Sequence, residues 1–435
     1  MTNSAALNTN GAEANARVEY SRDGVNWSTT LPAATQGANS VRVRQTDVAG
    51  NVSTVTTFTF TFDTTAPVVP VVALTSDTGT STTDRITRVG TLRVTGETGA
   101  RFEYSADGVT GWTGAFTPGE GANSIYVRQV DVAGNPSAAA PQFTFTLDTT
   151  APATAPTVAL TSDTGTPGDL ITRIGTLAVT GLEPGARAEY QRNGATTWTT
   201  TFSPVQGANS VNVRQTDVAG NVSPLTTFAF TFDSVAPVAP VVQLVTDTGV
   251  SNTDKVTAEG AVRVTNAEGG AVVEYSPNGT TWSSSYTPVA GANTVRARQT
   301  DVAGNVSTVT TFTFTLDTVA PTLSTVTLPT AGTYAAGQTL RVTLTFSKAV
   351  HVTGSPSLAL TFGSAVRNAT YLSGSGTTAI VFAYTVAAGD TGLGLLTAVG
   401  NSIDLAGGTL KSTAGVDAPT SLTGKLPATL PAVRI

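Results

Sequence analysis

Apolar and polar positions along this chain alternate in short runs. In residues 70–150 the runs VVALTS, TLRVTG, ARFEYS, NSIYVRQVD and QFTFTLD are rich in β-branched and aromatic residues, and clusters of Gly, Asp, Asn and Pro separate them. A period of two places successive side chains on opposite faces of a strand, and the clusters supply the turns between strands. No stretch shows apolar residues at helical spacing. About seven short strands in about 85 residues predicts a two-layer antiparallel sandwich. In FTFTFD, residues 58–63, the alternation predicts that Phe58, Phe60 and Phe62 face the core.

The pattern repeats. Asp-Val-Ala-Gly-Asn begins at Asp47, Asp131, Asp217 and Asp301, in steps of 84, 86 and 84 residues. The only tryptophans recur in register at Trp27, Trp112, Trp198 and Trp282, as does Gly-Ala-Asn at Gly37, Gly121, Gly207 and Gly291. Asp-x-x-Ala-Pro recurs at Asp63, Asp148, Asp233 and Asp317. Self-similarity at a fixed period marks an array of supersecondary units. The predicted units are 1–63, 64–148, 149–233, 234–317 and a divergent 318–435. The first has no counterpart of the first two strands, so it reads as a repeat entered midway. The last lacks the Trp and the DVAGN marker but keeps the strand pattern, clearest in TLRVTLTF and AIVFAYTV, and reads as a different sandwich.

Composition narrows the function. Charged residues make up 12% of the chain, and the net charge of −6 offers no basic footprint for nucleic acid. Cysteine is absent, which excludes a disulfide framework and thiol chemistry. No apolar run approaches the ~20 residues of a membrane span. The first residues show neither a basic nor an apolar segment of a cleaved leader, so export through another signal, or origin as a piece of a longer chain, is expected. The single histidine, His351, cannot make a catalytic set, and a catalytic site in four copies is not expected. The chain reads as a non-enzyme.

The candidate chemistry lies in the aspartates. They fall at Asp47, Asp131, Asp217 and Asp301 in the DVAGN turn, and at Asp63, Asp148, Asp233 and Asp317 before Ala-Pro. A third set follows the first strand: Asp77 and Asp84, Asp163 and Asp169, Asp247 and Asp254. If strands alternate in direction, the end of one repeat meets the DVAGN turn of the next. One junction would then gather Asp77, Asp84, Asp148, Asp217 and Asn221. The next would gather Asp163, Asp169, Asp233, Asp301 and Asn305. By the same logic Asp63, Asp131 and Asn135 form a junction upstream, and Asp247, Asp254 and Asp317 one downstream. Clustered carboxylates without a cation repel one another. Oxygen-only ligands suit Ca²⁺ and not zinc. The plain alternative is structural, because Asp and Asn are also good turn residues.

Other recurring residues read structurally. The tryptophans are expected at the sandwich core or rim rather than on a sugar-stacking platform. Glu19, Glu103, Glu189 and Glu274 are expected to pair across strands with Arg44, Arg128, Arg214 and Arg298. His351 reads as a surface or packing residue.

Five motifs resemble the bacterial immunoglobulin-like repeats of large secreted surface adhesins and biofilm-associated proteins: DTTAP, TSDTG…GTL.VTG, EYS..G..W, GANSV.VRQTDVAGNVS and TFTFT.D. The resemblance covers residues 17–321. It implies an all-β chain of tandem immunoglobulin-like antiparallel β-sandwiches in an elongated rod, located at the bacterial cell surface and acting as a calcium-stiffened stalk. Its partner would be a host or surface ligand. Two alternatives stand beside this. One is a fibre or layer subunit that self-associates by strand complementation of the incomplete first repeat. The other is a glycan- or protein-binding module in the last domain.

Overall fold

The computed structural model describes all residues, 1–435. The chain is all-β, and its one helical element is a single 3₁₀ turn, Ala388–Asp390. It divides into two compact units. One holds Met1–Thr161 with Gly175–Phe230, and the other Ser162–Ile174 with Thr231–Ile435.

The second repeat shows the basic plan. Val71–Leu74 and Leu92–Thr95 pair antiparallel as a two-stranded sheet. Arg101–Ser105, Gly121–Val130 and Phe143–Leu147 pair antiparallel in that order. Ile86–Thr87 then joins Phe143–Leu147 in parallel. The repeat therefore has six named strands in layers of two and four, rather than seven in a wholly antiparallel sandwich. The parallel pair arises because the chain leaves the small sheet after Leu74 and reaches the opposite layer through the loop that ends at Arg85. Arg85 takes the left-handed conformation at φ 61°. Leu170 and Lys255 hold the same place in the next two repeats, at φ 59° and 61°.

Burial follows the alternation. Ile125, Val127, Phe143, Phe145 and Leu147 point inward and meet Val72, Leu74, Leu92 and Val94 of the small sheet. Val211 and Val213 do the same against Val158, Leu177 and Val179, and Val295 and Ala297 against Val242, Val262 and Val264. Gln129, Gln215 and Gln299 also point inward and are fully buried. Each is satisfied at both ends of its amide. Gln129 accepts from Glu97 N–H at 2.7 Å and donates to the carbonyl of Val68 at 2.5 Å, pinning the incoming linker.

The first repeat is half of this plan. Arg17–Ser21, Gly37–Thr46 and Thr56–Phe62 form a three-stranded sheet with no small sheet over it. Thr2 makes a single parallel bridge to Phe62, standing where Thr87 pairs with Leu147. The expected core face of FTFTFD is therefore realised only downstream. Phe143 is 8% exposed, while its counterpart Phe58 is 47% exposed.

In the last domain one seven-stranded sheet carries nearly all the strands. Its long strand Thr339–Thr353 pairs with Thr377–Thr385 along its first half. After an irregularity between Thr345 and Val350 it pairs with Thr409–Ser412. Leu340, Leu344, Leu358, Phe362, Phe382 and Leu410 come from separate parts of this sheet and meet in one buried cluster.

Candidate functional site

Each DVAGN segment is a tight turn built around its aspartate. Asn135 N–H donates to Asp131 Oδ1 at 2.8 Å, and Asn135 Nδ2 to Asp131 Oδ2 at 2.8 Å. Gly134 supplies the left-handed residue at φ 97°. Asp217 with Asn221 and Asp301 with Asn305 repeat these bonds. Burial pushes the Asp131 carboxyl up. Donation from Asn135, Gly134 and Ala133 outweighs that and holds it below the usual carboxylate range.

The same asparagines reach back to the preceding repeat. Asn135 Nδ2 donates to the carbonyl of Asp63 at 2.7 Å, Asn221 Nδ2 to that of Asp148 at 2.9 Å, and Asn305 Nδ2 to that of Asp233 at 2.8 Å. A second contact comes from the loop after the first strand. Thr78 Oγ1 donates to the carbonyl of Ala219 at 2.5 Å, and Thr164 Oγ1 to that of Ala303 at 2.5 Å. The neighbouring glycines press on the same turns. A Cβ at Gly79 would lie 1.9 Å from the Val218 carbonyl oxygen, and one at Gly165 1.9 Å from that of Val302. Thr-Gly on one repeat and Val-Ala-Gly-Asn on the next thus form a latch that tolerates no side chain at its centre.

The last domain carries the same latch in other residues. Thr248 Oγ1 donates to the carbonyl of Ala414 at 2.7 Å, and a Cβ at Gly249 would lie 2.2 Å from the Thr413 carbonyl oxygen. Ser412 replaces the turn aspartate, accepting from Val416 N–H at 3.1 Å. Reading the DVAGN marker literally misses this turn. The Ala-Gly pair behind a short polar residue was the available signal. At the other end of the chain Asn3 N–H donates to the carbonyl of Ala133 at 3.2 Å, taking the part of the threonine hydroxyl.

The aspartates expected to share a cation are placed differently from one another. Asp131, Asp217 and Asp301 are consumed by their own turns. Asp63 accepts from Gln36 Nε2 and Thr65 N–H, and Asp148 and Asp233 cap the N–H groups of Thr150 and Val235. Asp317 is paired to Lys348 at 2.7 Å. Asp84, Asp169 and Asp254 accept from the N–H two residues on. No three acidic side chains converge as a metal-ligating group, so the four-carboxylate junction read from the sequence is not assembled. One recurring position stands apart. Asp77, Asp163 and Asp247 each use Oδ2 to accept backbone N–H groups of their own loop, from Arg85, from Gly168 and Leu170, and from Lys255. Oδ1 of all three is buried without a hydrogen-bond partner. A buried carboxylate oxygen with no donor is costly, and its recurrence at one loop position calls for a partner.

The tryptophans lie on the outer face of the large sheet. The guanidinium of Arg44 stacks 4.1 Å from the Trp27 ring centroid, that of Arg128 4.2 Å from Trp112, that of Arg214 4.0 Å from Trp198 and that of Arg298 4.2 Å from Trp282. Each arginine also pairs with the expected glutamate, at 3.0, 2.7, 2.9 and 2.9 Å for Glu19, Glu103, Glu189 and Glu274. Stacking on arginine uses one ring face, so these are packing elements of the sheet surface. His351 Nε2 lies 3.4 Å from Thr413 Oγ1, a packing position.

A family model, that of the bacterial Ig-like domain, matches residues 1–64. No curated protein matches the chain. The matched stretch is the first repeat, and its motifs recur in the three repeats that follow. The chain is thus an all-β array whose first repeat is similar to bacterial Ig-like domains.

Proposed function

We propose that this chain is a spacer of a bacterial surface protein, a stalk that carries an adhesive part away from the cell. The observation that carries this reading is the latch. It joins the second repeat to the third, the third to the fourth, and the fourth to a last domain of different architecture, always through a threonine hydroxyl on an alanine carbonyl. Repetition of a joint, with no repeated reactive group, fits a mechanical task. No helix is long and apolar enough to cross a membrane. Electron microscopy of the purified chain tests the reading. Extended particles of constant contour are expected, and collapsed or freely jointed particles would count against it.

Calcium belongs to this proposal in a narrower form than the sequence suggested. The unpartnered Oδ1 atoms of Asp77, Asp163 and Asp247 fit a hard cation that accepts oxygen ligands only. Asp84, Asp169 and Asp254 of the same loops, with backbone carbonyls, would complete the donor set. Such a cation would neutralise a buried charge and stiffen the loop that carries the latch threonine. The first repeat has no such loop, so three sites per chain are expected. Calorimetric titration should give about three Ca²⁺ per chain with Kd of roughly 10⁻⁴ to 10⁻³ M. D77N should remove one of them. Heat-silent titration at millimolar Ca²⁺ with no rise in Tm would end the calcium reading and leave the latch untouched.

A further inference from the structure

The joint between the second and third repeats carries a group of charges beside the latch. A cleft of about 370 Å³ lies across it, within the first compact unit. The second repeat lines it with Thr78 and Arg88, and the third with Arg187, Glu189 and Arg214. Glu189 is the most buried of the charged groups, its side chain 10% exposed. It receives Arg187 Nη2 on Oε1 at 3.0 Å and Arg214 Nη2 on Oε2 at 2.9 Å. Burial pushes the Glu189 carboxyl up, but the Arg214 and Arg187 guanidiniums outweigh that and hold it below the usual carboxylate range. It is therefore ionised at neutral pH.

The two guanidiniums spend Nε and Nη2 on Glu189 and keep Nη1 free. Arg88 has no partner at all. Its backbone N–H meets Thr78 Oγ1, and its guanidinium makes no hydrogen bond or ion pair. Three positive groups against one negative leave the cleft with a net charge of +2, in a chain whose total is −6. Like charges gathered in one place repel unless a counter-charge joins them. The planar fork of arginine matches the oxygens of sulfate and phosphate, and such charge-assisted bonds are strong. A single dianion would balance the charge.

We propose that this cleft binds a dianionic oxyanion of the sulfate or phosphate class, held by Arg88 from one repeat and by the free edges of Arg187 and Arg214 from the next. The anion spans the joint and so adds to the latch of Thr78 on Ala219. The next joint is built differently, because Val272 stands in the fourth repeat where the third has Arg187. The site is independent of the spacer reading and of calcium.

The probe is sodium sulfate on the full chain, read by hydrogen exchange at two matched amides. Asn221 N–H lies in the turn that this joint grips and Asn305 N–H in the turn that the next one grips, each donating to its own turn aspartate at 2.8 Å. Sulfate is raised from ~1 to ~50 mM while sodium chloride holds the ionic strength, so that screening stays constant. A ligand that binds only the closed joint slows exchange through opening by about tenfold at ten times its Kd. Asn221 should slow in this way and Asn305 should not. Sulfate also strengthens burial everywhere, so equal slowing of both amides overturns the proposal. Arg88→Ala removes a side chain that makes no bond. Tm in chloride should hold, and sulfate should bind about tenfold more weakly. Slowing that survives this change, no slowing at Asn221, or an equal effect of acetate overturns the proposal too. Inorganic phosphate and glucose 6-phosphate, both dianions at pH ~8, separate the free ion from an ester. Slowing by both admits the ester, slowing by inorganic phosphate alone assigns the site to the free ion, and slowing by neither overturns the class.

Discussion

At the scale of single residues, the latch works because two glycines let backbones touch. Gly79 lies at φ 106° and Gly220 at φ 97°, both in the region that glycine enters freely. Gly79→Ala adds strain at that φ and a Cβ that meets the Val218 carbonyl. The expected cost is about 1–3 kcal/mol. It should appear as faster hydrogen exchange of the amides around Val218, with the distant core of the last domain unchanged. Asn221→Ala removes the bond to the Asp148 carbonyl and the side-chain bond to Asp217 together. A loss of about 1–2 kcal/mol in urea unfolding is expected. Asn221→Asp should be worse, because a second carboxylate would face Asp217. Asp and Asn recur in this turn because each does two jobs. The aspartate receives the turn's N–H groups, and the asparagine spans its own turn and the neighbouring repeat.

At the scale of elements, the strands and their faces were legible because alternation reports burial directly. Glu103 opposite Arg128 followed from strand adjacency alone. The buried Gln129 was not legible, since an inward glutamine breaks the apolar alternation. Only the recurrence of Arg-Gln before the turn hinted that it had a fixed partner. The parallel pairing of Ile86–Thr87 is not legible in the sequence, because two residues give no period. The aspartate clusters were misplaced for a geometric reason. Topology put DVAGN near the preceding loop correctly, but side-chain direction decides ligation, and Asp217 turns inward to Asn221. In the last domain a small buried network has its own pH signature. Asp390 receives the Arg367 guanidinium and the Tyr384 hydroxyl, which bring its pKa down to about 2. A carboxyl depressed on folding stabilises above its unfolded pKa, and that contribution is lost as pH falls through the folded value. Stability of this domain should therefore decline between pH ~4 and pH 2. Asp390→Asn should flatten that decline in acid-unfolding curves.

At the scale of the whole molecule, repeats and compact units do not share boundaries. The loop Ser162–Ile174 belongs by sequence to the third repeat, yet it falls with the fourth, whose turn it grips through Thr164 and Gly165. Each repeat thus lends a loop to its successor. In an array of this kind, stability is a sum of each repeat's own term and the terms between neighbours. Cooperativity between repeats depends on the second kind alone. Small clusters of three to five buried apolar residues, as in the second to fourth repeats, leave little intrinsic margin. The larger core of the last domain should therefore support the fourth repeat through the Thr248–Ala414 contact. Gly249→Ala, with its Cβ 2.2 Å from the Thr413 carbonyl oxygen, cuts that support without touching either core. Calorimetry should then show the fourth repeat leaving the last domain's transition and unfolding at lower temperature. The last domain should keep its own stability to within ~0.5 kcal/mol. A single transition that moves as a whole would mean that the repeats hold together by some other contact, and that the latch only marks where they meet.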